Sequence, residues 1–182
     1  MALGDSLTAG YGLAPAEALP VVLEQALRDR GHDVVIENAG VSGDTATAGA
    51  DRVDWAVADG ADGVILALGA NDALRGVDPG VTREALARAL DRLAERGIPV
   101  MLAGMMAPRN LGPDYAAAFD AIHPGLAEAR GLVLYPFLLD GVAAVPSLNQ
   151  ADGIHPNAEG VRLIVERMLP AVERFLERLG PS

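Results

Sequence analysis

Cysteine is absent from the 182 residues of this sequence. The chain therefore forms no disulfides, and neither a thiolate nucleophile nor a thiolate metal site is available to it. Aromatic residues are also scarce, at 4% of the chain, although 51% of the residues are hydrophobic. The core must then be built mainly from Ala, Leu and Val, which favours helices packed closely on a sheet.

Long apolar runs are missing too. No stretch of about 18 apolar residues occurs, so we expect no transmembrane helix and no stable membrane insertion. The N-terminus lacks the charged segment and apolar stretch that mark a signal peptide, so we expect none in this chain. The compartment stays open, because a chain without cysteine suits the cytoplasm and an extracytoplasmic space equally well.

Positive charge is in the minority. With 25 acidic and 14 basic residues, the chain has a formal net charge of -11 at pH 7. Nucleic acids and anionic membrane surfaces would repel such a protein, so we expect neither as a partner. A small neutral or acyl substrate is compatible with this charge, and the oligomeric state is left open, with a monomer plausible.

Short apolar runs alternate with amphipathic stretches along the whole chain. The runs are continuous, as expected for parallel strands covered on both faces, and predict strands at 1–3, 34–37, 63–68, 99–103 and 132–134. The stretches between and after them predict helices at 16–30, 45–58, 80–96, 115–129 and 158–179. This alternation indicates an α/β fold with a parallel sheet, and without a linker or repeat we expect one domain over 1–182.

Polar, glycine-rich segments lie at the ends of the predicted strands or before the last predicted helix. In a parallel sheet such loops meet at the carboxyl edge, where ligands bind. We therefore expect four segments to converge on one rim: Gly4-Asp5-Ser6, Ser42-Gly43-Asp44, Gly69-Ala70-Asn71-Asp72 and Asp152-Gly153-Ile154-His155.

These segments hold the residue types of nucleophilic catalysis. Ser6 follows a strand directly and suits either a nucleophile or a helix cap. His155 can serve as its base, with Asp152 orienting the imidazole, or the Asp-x-x-His segment is a surface turn. Gly43 and Asn71 can supply N–H donors to an oxyanion, or they are ordinary turn residues.

In their order and spacing, the segments together resemble the SGNH, or GDSL, hydrolase family. The resemblance spans essentially the whole chain and includes the strings GDSLTAGYG at 4–12, VSGDT at 41–45 and DGIHPN at 152–157. It looks closest to the bacterial thioesterase I, arylesterase and lysophospholipase group. It implies a flavodoxin-like three-layer α/β/α sandwich with a five-stranded parallel sheet, and neither a cofactor nor a metal.

The resemblance also implies roles. Ser6 would be the nucleophile, His155 the base and Asp152 the residue that orients it. The backbone N–H groups of Ser6 and Gly43, with the Asn71 side chain, would form the oxyanion hole. The substrate would be a small to medium acyl ester or thioester, and the expected substrate-binding residues are Asp5, Asp72, Leu74, Met106, Pro108, Asn110, Leu111 and Ile154.

The resemblance leaves the substrate specificity open. Asp5 and Asp72 are also expected to brace the loops beside Ser6 and Asn71. Leu111 stands where this group commonly has tyrosine, which leaves the preferred acyl length open. A carbohydrate O-deacetylase or an acyltransferase could use the same triad. From another class, a flavin- or phosphate-binding module could use the loop 5–12 as a phosphate cradle.

Overall fold

The computed structural model describes residues 1–180, and its centre is a five-stranded parallel sheet. The strand order is β2-β1-β3-β4-β5. The strands are β1 (Ala2–Gly4), β2 (Asn38–Gly40), β3 (Val64–Ala67), β4 (Val100–Ala103) and β5 (Val133–Tyr135). The predicted α/β fold with a five-stranded parallel sheet is therefore confirmed.

Helices connect and cover the strands. Their bounds are α1 (Ser6–Ala9), α2 (Leu19–Asp29), α3 (Ala46–Asp51), α4 (Val53–Ala56), α5 (Ala70–Arg75), α6 (Pro79–Glu95), α7 (Pro113–Asp120), α8 (Ile122–Arg130) and α9 (Ala158–Leu179). Helix α2 packs on α9, whereas α6 packs on both α3 and α8. Since β1, β3 and β4 are buried along their whole length, these two groups cover opposite faces of the sheet.

The core is aliphatic, as the composition predicts. Leu3, Leu66 and Leu102, on the three central strands, are 0% exposed, and burial of each such side chain stabilises the fold by about 1.5–3 kcal/mol. Within residues 1–180 no helix is long and apolar enough to cross a membrane.

The second strand differs from its prediction. Residues 34–36 of the apolar run lie outside the sheet, the Glu37 carbonyl accepts the Ala2 N–H at 2.9 Å, and the strand that pairs with β1 begins at Asn38. Val34 and Ile36 pack against the core while Val35 is 72% exposed, so the apolar pattern marks the approach to the strand. Because β2 is an edge strand, it pairs with β1 alone. A short polar segment can form that pairing through its backbone.

Two predicted helices are each divided in the structure. The predicted helix 45–58 ends at Asp51 and restarts at Val53, and the predicted helix 115–129 is broken at Ala121. The first break lies at Arg52, whose side chain is buried beneath the carboxyl edge of the sheet.

Candidate active site

Ser6 stands at the carboxyl end of β1, on the first residue of the one-turn helix α1. The Asp5 side chain caps this helix by accepting a hydrogen bond from the Leu7 backbone N–H at 3.0 Å. Gly4 makes the tight turn possible, because a Cβ at this position would lie 2.7 Å from the Ala67 carbonyl oxygen and against the Thr8 side chain. Strand, turn and cap together fix the Ser6 side chain at the sheet edge.

His155 contacts Ser6 from the other end of the chain. Its Nε2 lies 2.9 Å from the Ser6 Oγ, and its Nδ1 lies 2.6 Å from the Asp152 Oδ2. The structure therefore brings the three predicted residues into one connected chain of hydrogen bonds. Such an arrangement lets a hydroxyl give up its proton to an oriented imidazole.

Asp152 is held as an anion by the loop it belongs to. Its Oδ1 accepts the backbone N–H groups of Ile154 and His155 at 2.9 and 3.0 Å. The bond from the His155 backbone is the main cause that lowers the pKa of Asp152 to about 2. With Oδ2 negatively charged at neutral pH, the proton of a neutral His155 belongs on Nδ1, which leaves Nε2 free to accept from Ser6.

Two residues that the motif analysis did not single out join the histidine loop to the serine loop. The Gln150 side-chain amide donates to the Tyr11 carbonyl at 2.7 Å and to the Pro156 carbonyl at 3.0 Å. The Tyr11 ring lies over the imidazole, with 4.7 Å between the Tyr11 and His155 ring centroids. Tyr11 belongs to the family string at 4–12, so the sequence offered a signal for its role. No motif near Gln150 indicates that it contacts the site.

Asn71 lies between the first and second loops. Its side-chain Nδ2 donates to the Asp44 carbonyl at 3.0 Å and lies 3.5 Å from the Asp5 Oδ2. Gly43 adopts a left-handed φ of 89° in the turn just before Asp44. The two residues expected to supply oxyanion donors therefore belong to adjoining loops that the Asn71 amide ties together.

A buried arginine fixes the second loop to the end of β1. Arg52 is 5% exposed, and its Nε donates to the Asp44 Oδ2 at 2.6 Å. Its Nη2 donates to the Gly4 carbonyl at 2.8 Å. Two consecutive loops at the site are thus bound to one guanidinium, on the residue that stands between α3 and α4. The sequence offers no signal for this contact.

The assignment of Asp5 and Asp72 to the substrate-binding set is wrong, because both side chains are 0% exposed. Asp72 accepts the Ala46 backbone N–H at 2.8 Å and the Thr82 hydroxyl at 3.2 Å. Asp5 caps α1 as described above. Both carboxylates brace loops from beneath and have no face toward a substrate.

Burial has an electrostatic consequence at Asp5. Desolvation is the main cause that raises the pKa of Asp5 to about 6, and the negative charges of Asp44 and Asp72 act in the same direction. The Leu7 hydrogen bond and His155 oppose this rise. At neutral pH the protein therefore maintains a desolvated carboxylate directly beside Ser6.

We expect Asp5→Asn to flatten the pH dependence of stability. A carboxyl whose pKa is raised by folding contributes stability below pH about 4 that is lost as the pH rises through about 6. The difference corresponds to about 3 kcal/mol, and asparagine keeps an oxygen for the Leu7 N–H. Urea unfolding at pH 4, 5.5 and 7 should show the wild type losing stability that the variant retains. Parallel pH profiles for the two proteins would contradict the assignment.

Four of the predicted substrate-binding residues have exposed apolar side chains. Leu74, Met106, Leu111 and Ile154 are 49%, 40%, 37% and 44% exposed. Pro108 is half-buried and Asn110 is exposed on the same segment as Met106. These predicted substrate-binding residues are thus accessible to a ligand, and their contact with substrate stays a prediction.

One cavity, of about 540 Å³, lies away from the triad. It is lined by the first residue, by 33–37, by 58–63 and by side chains of α9, at the amino ends of the strands. None of Ser6, Asp152 and His155 lines it.

His123, unlike His155, is a structural histidine. It is 0% exposed, its Nε2 donates to the Leu68 carbonyl at 3.0 Å, and its Nδ1 accepts the Met105 backbone N–H at 3.4 Å. Burial is the main cause that lowers its pKa, which keeps the ring neutral. It joins the segments that follow β3 and β4. Among residues 1–180, no three histidine or carboxylate side chains converge as a metal site.

Comparison with known proteins agrees with this arrangement. The chain matches the GDSL-like lipase/acylhydrolase family over residues 2–163. Esterase TesA of Pseudomonas aeruginosa is 34% identical over 177 residues, which cover 97% of this chain and 88% of that protein. The arylesterase of Vibrio mimicus is 36% identical over 91% of this chain and 84% of its own length.

A solved structure shows the same fold. The crystal structure of AlinE4, described as an SGNH-hydrolase family esterase, is 45% identical and superposes with a TM-score of 0.80. The superposition covers 100% of this chain and 95% of AlinE4. From its loops, its fold and these relatives, the chain belongs to the GDSL-like lipase/acylhydrolase family, or SGNH hydrolases.

Proposed function

We propose that this protein hydrolyses small to medium acyl esters or thioesters through an acyl-enzyme formed on Ser6. The observation that carries the proposal is the hydrogen-bonded chain Ser6–His155–Asp152, with heavy-atom distances of 2.9 and 2.6 Å. Family membership makes the chain a carboxylic ester hydrolase, and the relatives named as an esterase and an arylesterase support that substrate class.

Acylation begins at Ser6. As its Oγ attacks the substrate carbonyl, the proton passes to the His155 Nε2, and the ionised Asp152 stabilises the imidazolium. The negative charge on the former carbonyl oxygen is bound by the N–H groups of Ser6 and Gly43 and by the Asn71 amide. His155 then gives the proton to the departing alcohol or thiol, and the acyl group stays on Ser6.

Deacylation repeats these steps with water. His155 removes a proton from the water that attacks the acyl-enzyme, and the second tetrahedral intermediate uses the same three donors. Collapse of this intermediate returns the proton to Ser6 and releases the carboxylic acid. The His155 and Asp152 side chains are 18% and 36% exposed, so water reaches the base directly. This access favours hydrolysis over acyl transfer, which requires that water be excluded.

Ester hydrolysis combined with covalent labelling tests the proposal. We expect turnover of p-nitrophenyl acetate, butyrate and octanoate, and we expect a fluorophosphonate to abolish that turnover by adding once to Ser6. Intact and peptide mass spectrometry would locate the adduct, and the three esters would rank acyl lengths. An active protein that carries no adduct on Ser6 would refute the proposed nucleophile.

Asn71→Ala is expected to lower kcat by roughly 10²–10³-fold, the cost of losing one oxyanion donor. The amide also holds the Asp44 carbonyl, so stability must be followed by urea unfolding alongside steady-state kinetics. Retained folding with the lost rate would support the assignment. A rate change smaller than about threefold would remove Asn71 from the oxyanion hole.

A further inference from the structure

We propose that Arg75 forms an anion subsite beside the oxyanion hole, so that the preferred substrates are esters or thioesters that carry a second, negatively charged group. The inference rests on the proposed function of Ser6. It concerns a part of the substrate that the triad itself does not touch.

The position of Arg75 follows from the short helix α5. Asn71 and Arg75 are four residues apart on this helix and therefore lie on the same face. Both side chains reach the second loop at neighbouring carbonyls: Asn71 donates to Asp44 at 3.0 Å and the Arg75 Nη2 donates to Gly43 at 3.1 Å. The guanidinium is thereby held against the residue whose N–H is proposed to bind the oxyanion.

Arg75 is one of the arginines that lack a carboxylate partner among residues 1–180, and of these it is the one bonded to a loop of the candidate active site. The chain contains no lysine, and all 14 basic residues are arginines. Nine of them have a carboxylate within ion-pair distance in residues 1–180: Arg28, Arg30, Arg52, Arg88, Arg92, Arg96, Arg109, Arg130 and Arg167. In the same part of the chain Arg75 is exposed and donates to one carbonyl, without a carboxylate partner.

This environment suits an anionic ligand. A guanidinium has five N–H donors in a rigid fork that matches carboxylate and phosphate oxygens, and the bond to Gly43 uses one of them. Anchoring on that carbonyl orients the remaining donors in advance. We expect an ester to bind with its carbonyl at the oxyanion hole and its acyl chain near Leu74. An anionic group a few bonds from that carbonyl would then lie within reach of Arg75.

The anion could belong to the leaving group or to the acyl group, and matched substrates distinguish these sources. For the leaving group, S-butyryl thioglycolate is compared with its neutral amide, S-butyryl mercaptoacetamide. For the acyl group, the p-nitrophenyl monoester of adipate is compared with its methyl ester. Thiol release can be read with a disulfide reagent without background, because the protein has no cysteine.

The readout is the kcat/KM of the anionic substrate divided by that of its neutral partner. We expect Arg75→Gln to lower this ratio about tenfold for at least one pair, while Arg75→Lys, which keeps the charge but loses the guanidinium fork, should lower it less than Arg75→Gln does. Arg83→Gln, an exposed arginine on α6, is the matched control and should change no ratio.

An unchanged ratio for both pairs in Arg75→Gln would overturn the anion subsite, even if both rates fell. A fall caused by movement of the Gly43 loop lowers both members of a pair equally and leaves the ratio constant. The proposed function fails separately, because its failure would abolish hydrolysis of the neutral esters and labelling of Ser6 in the wild type.

Discussion

Ser6→Ala is expected to lower kcat for p-nitrophenyl butyrate by about 10⁶-fold, the loss seen when a triad nucleophile is removed. The oxyanion donors and His155 stay in place, but no protein oxygen can take the acyl group. Activity that remains reflects binding and transition-state stabilisation without covalent catalysis. Initial rates at high enzyme concentration measure the effect.

Ser147→Ala is the matched control for this variant. Ser147 is exposed in the one-turn 3-10 helix Pro146–Leu148, and its described hydrogen bond uses the backbone carbonyl. Its kcat should equal that of the wild type within about twofold, since surface substitutions of this kind are nearly neutral. A Ser6→Ala protein that is folded and retains more than about one hundredth of wild-type kcat would show that another group is the nucleophile.

Asp152→Asn is expected to lower kcat by about 10⁴-fold through the tautomer of His155. Asparagine can keep its oxygen on the backbone N–H groups of Ile154 and His155, which Asp152 Oδ1 now accepts. Its NH₂ group then replaces Oδ2 and faces the His155 Nδ1. Because an NH₂ group only donates, the imidazole proton moves to Nε2, which can no longer accept the Ser6 proton.

The geometry also supplies a check on this explanation. Since the two backbone bonds of residue 152 can survive, Asp152→Asn should stay folded and lose only the stability that the carboxylate's charge contributes, which urea unfolding measures. Asp140→Asn, which alters an exposed carboxylate paired with Arg167, serves as the control and should leave kcat unchanged. A loss of less than about tenfold in Asp152→Asn would mean that the carboxylate does not set the tautomer.

Much of this fold can be read from the order of residues because the relevant signals are local. Continuous apolar runs locate β3 and β4, which are buried on both faces. Strand β2 was missed because it lies at the edge and consists of Asn38, Ala39 and Gly40. It pairs with β1 through its backbone and needs no apolar side chains. The apolar residues nearby pack against the core just before the strand begins.

In the candidate site, too, some residues could be predicted from local sequence and others could not. Ser6, Asn71 and His155 stand in recognisable segments, and the structure places these segments at one edge. The burial of Asp5 and Asp72 is invisible in the sequence, since a charged residue in a polar loop is ordinarily exposed. Arg52 and Gln150 act through carbonyls far away in the chain, and contacts of that kind leave no pattern in the surrounding residues.

The bond from the Gln150 amide to the Tyr11 carbonyl joins residues 139 positions apart and holds the histidine loop beside the serine loop. We expect contacts over such a separation to form late in folding, because the entropy cost of closing the loop comes before the contact is made. Ester hydrolysis by this protein is therefore a signal that folding is complete. During synthesis, a chain whose last helix has not docked holds Ser6 without its base. The growing polypeptide should stay inert toward cellular esters until the whole sheet is covered.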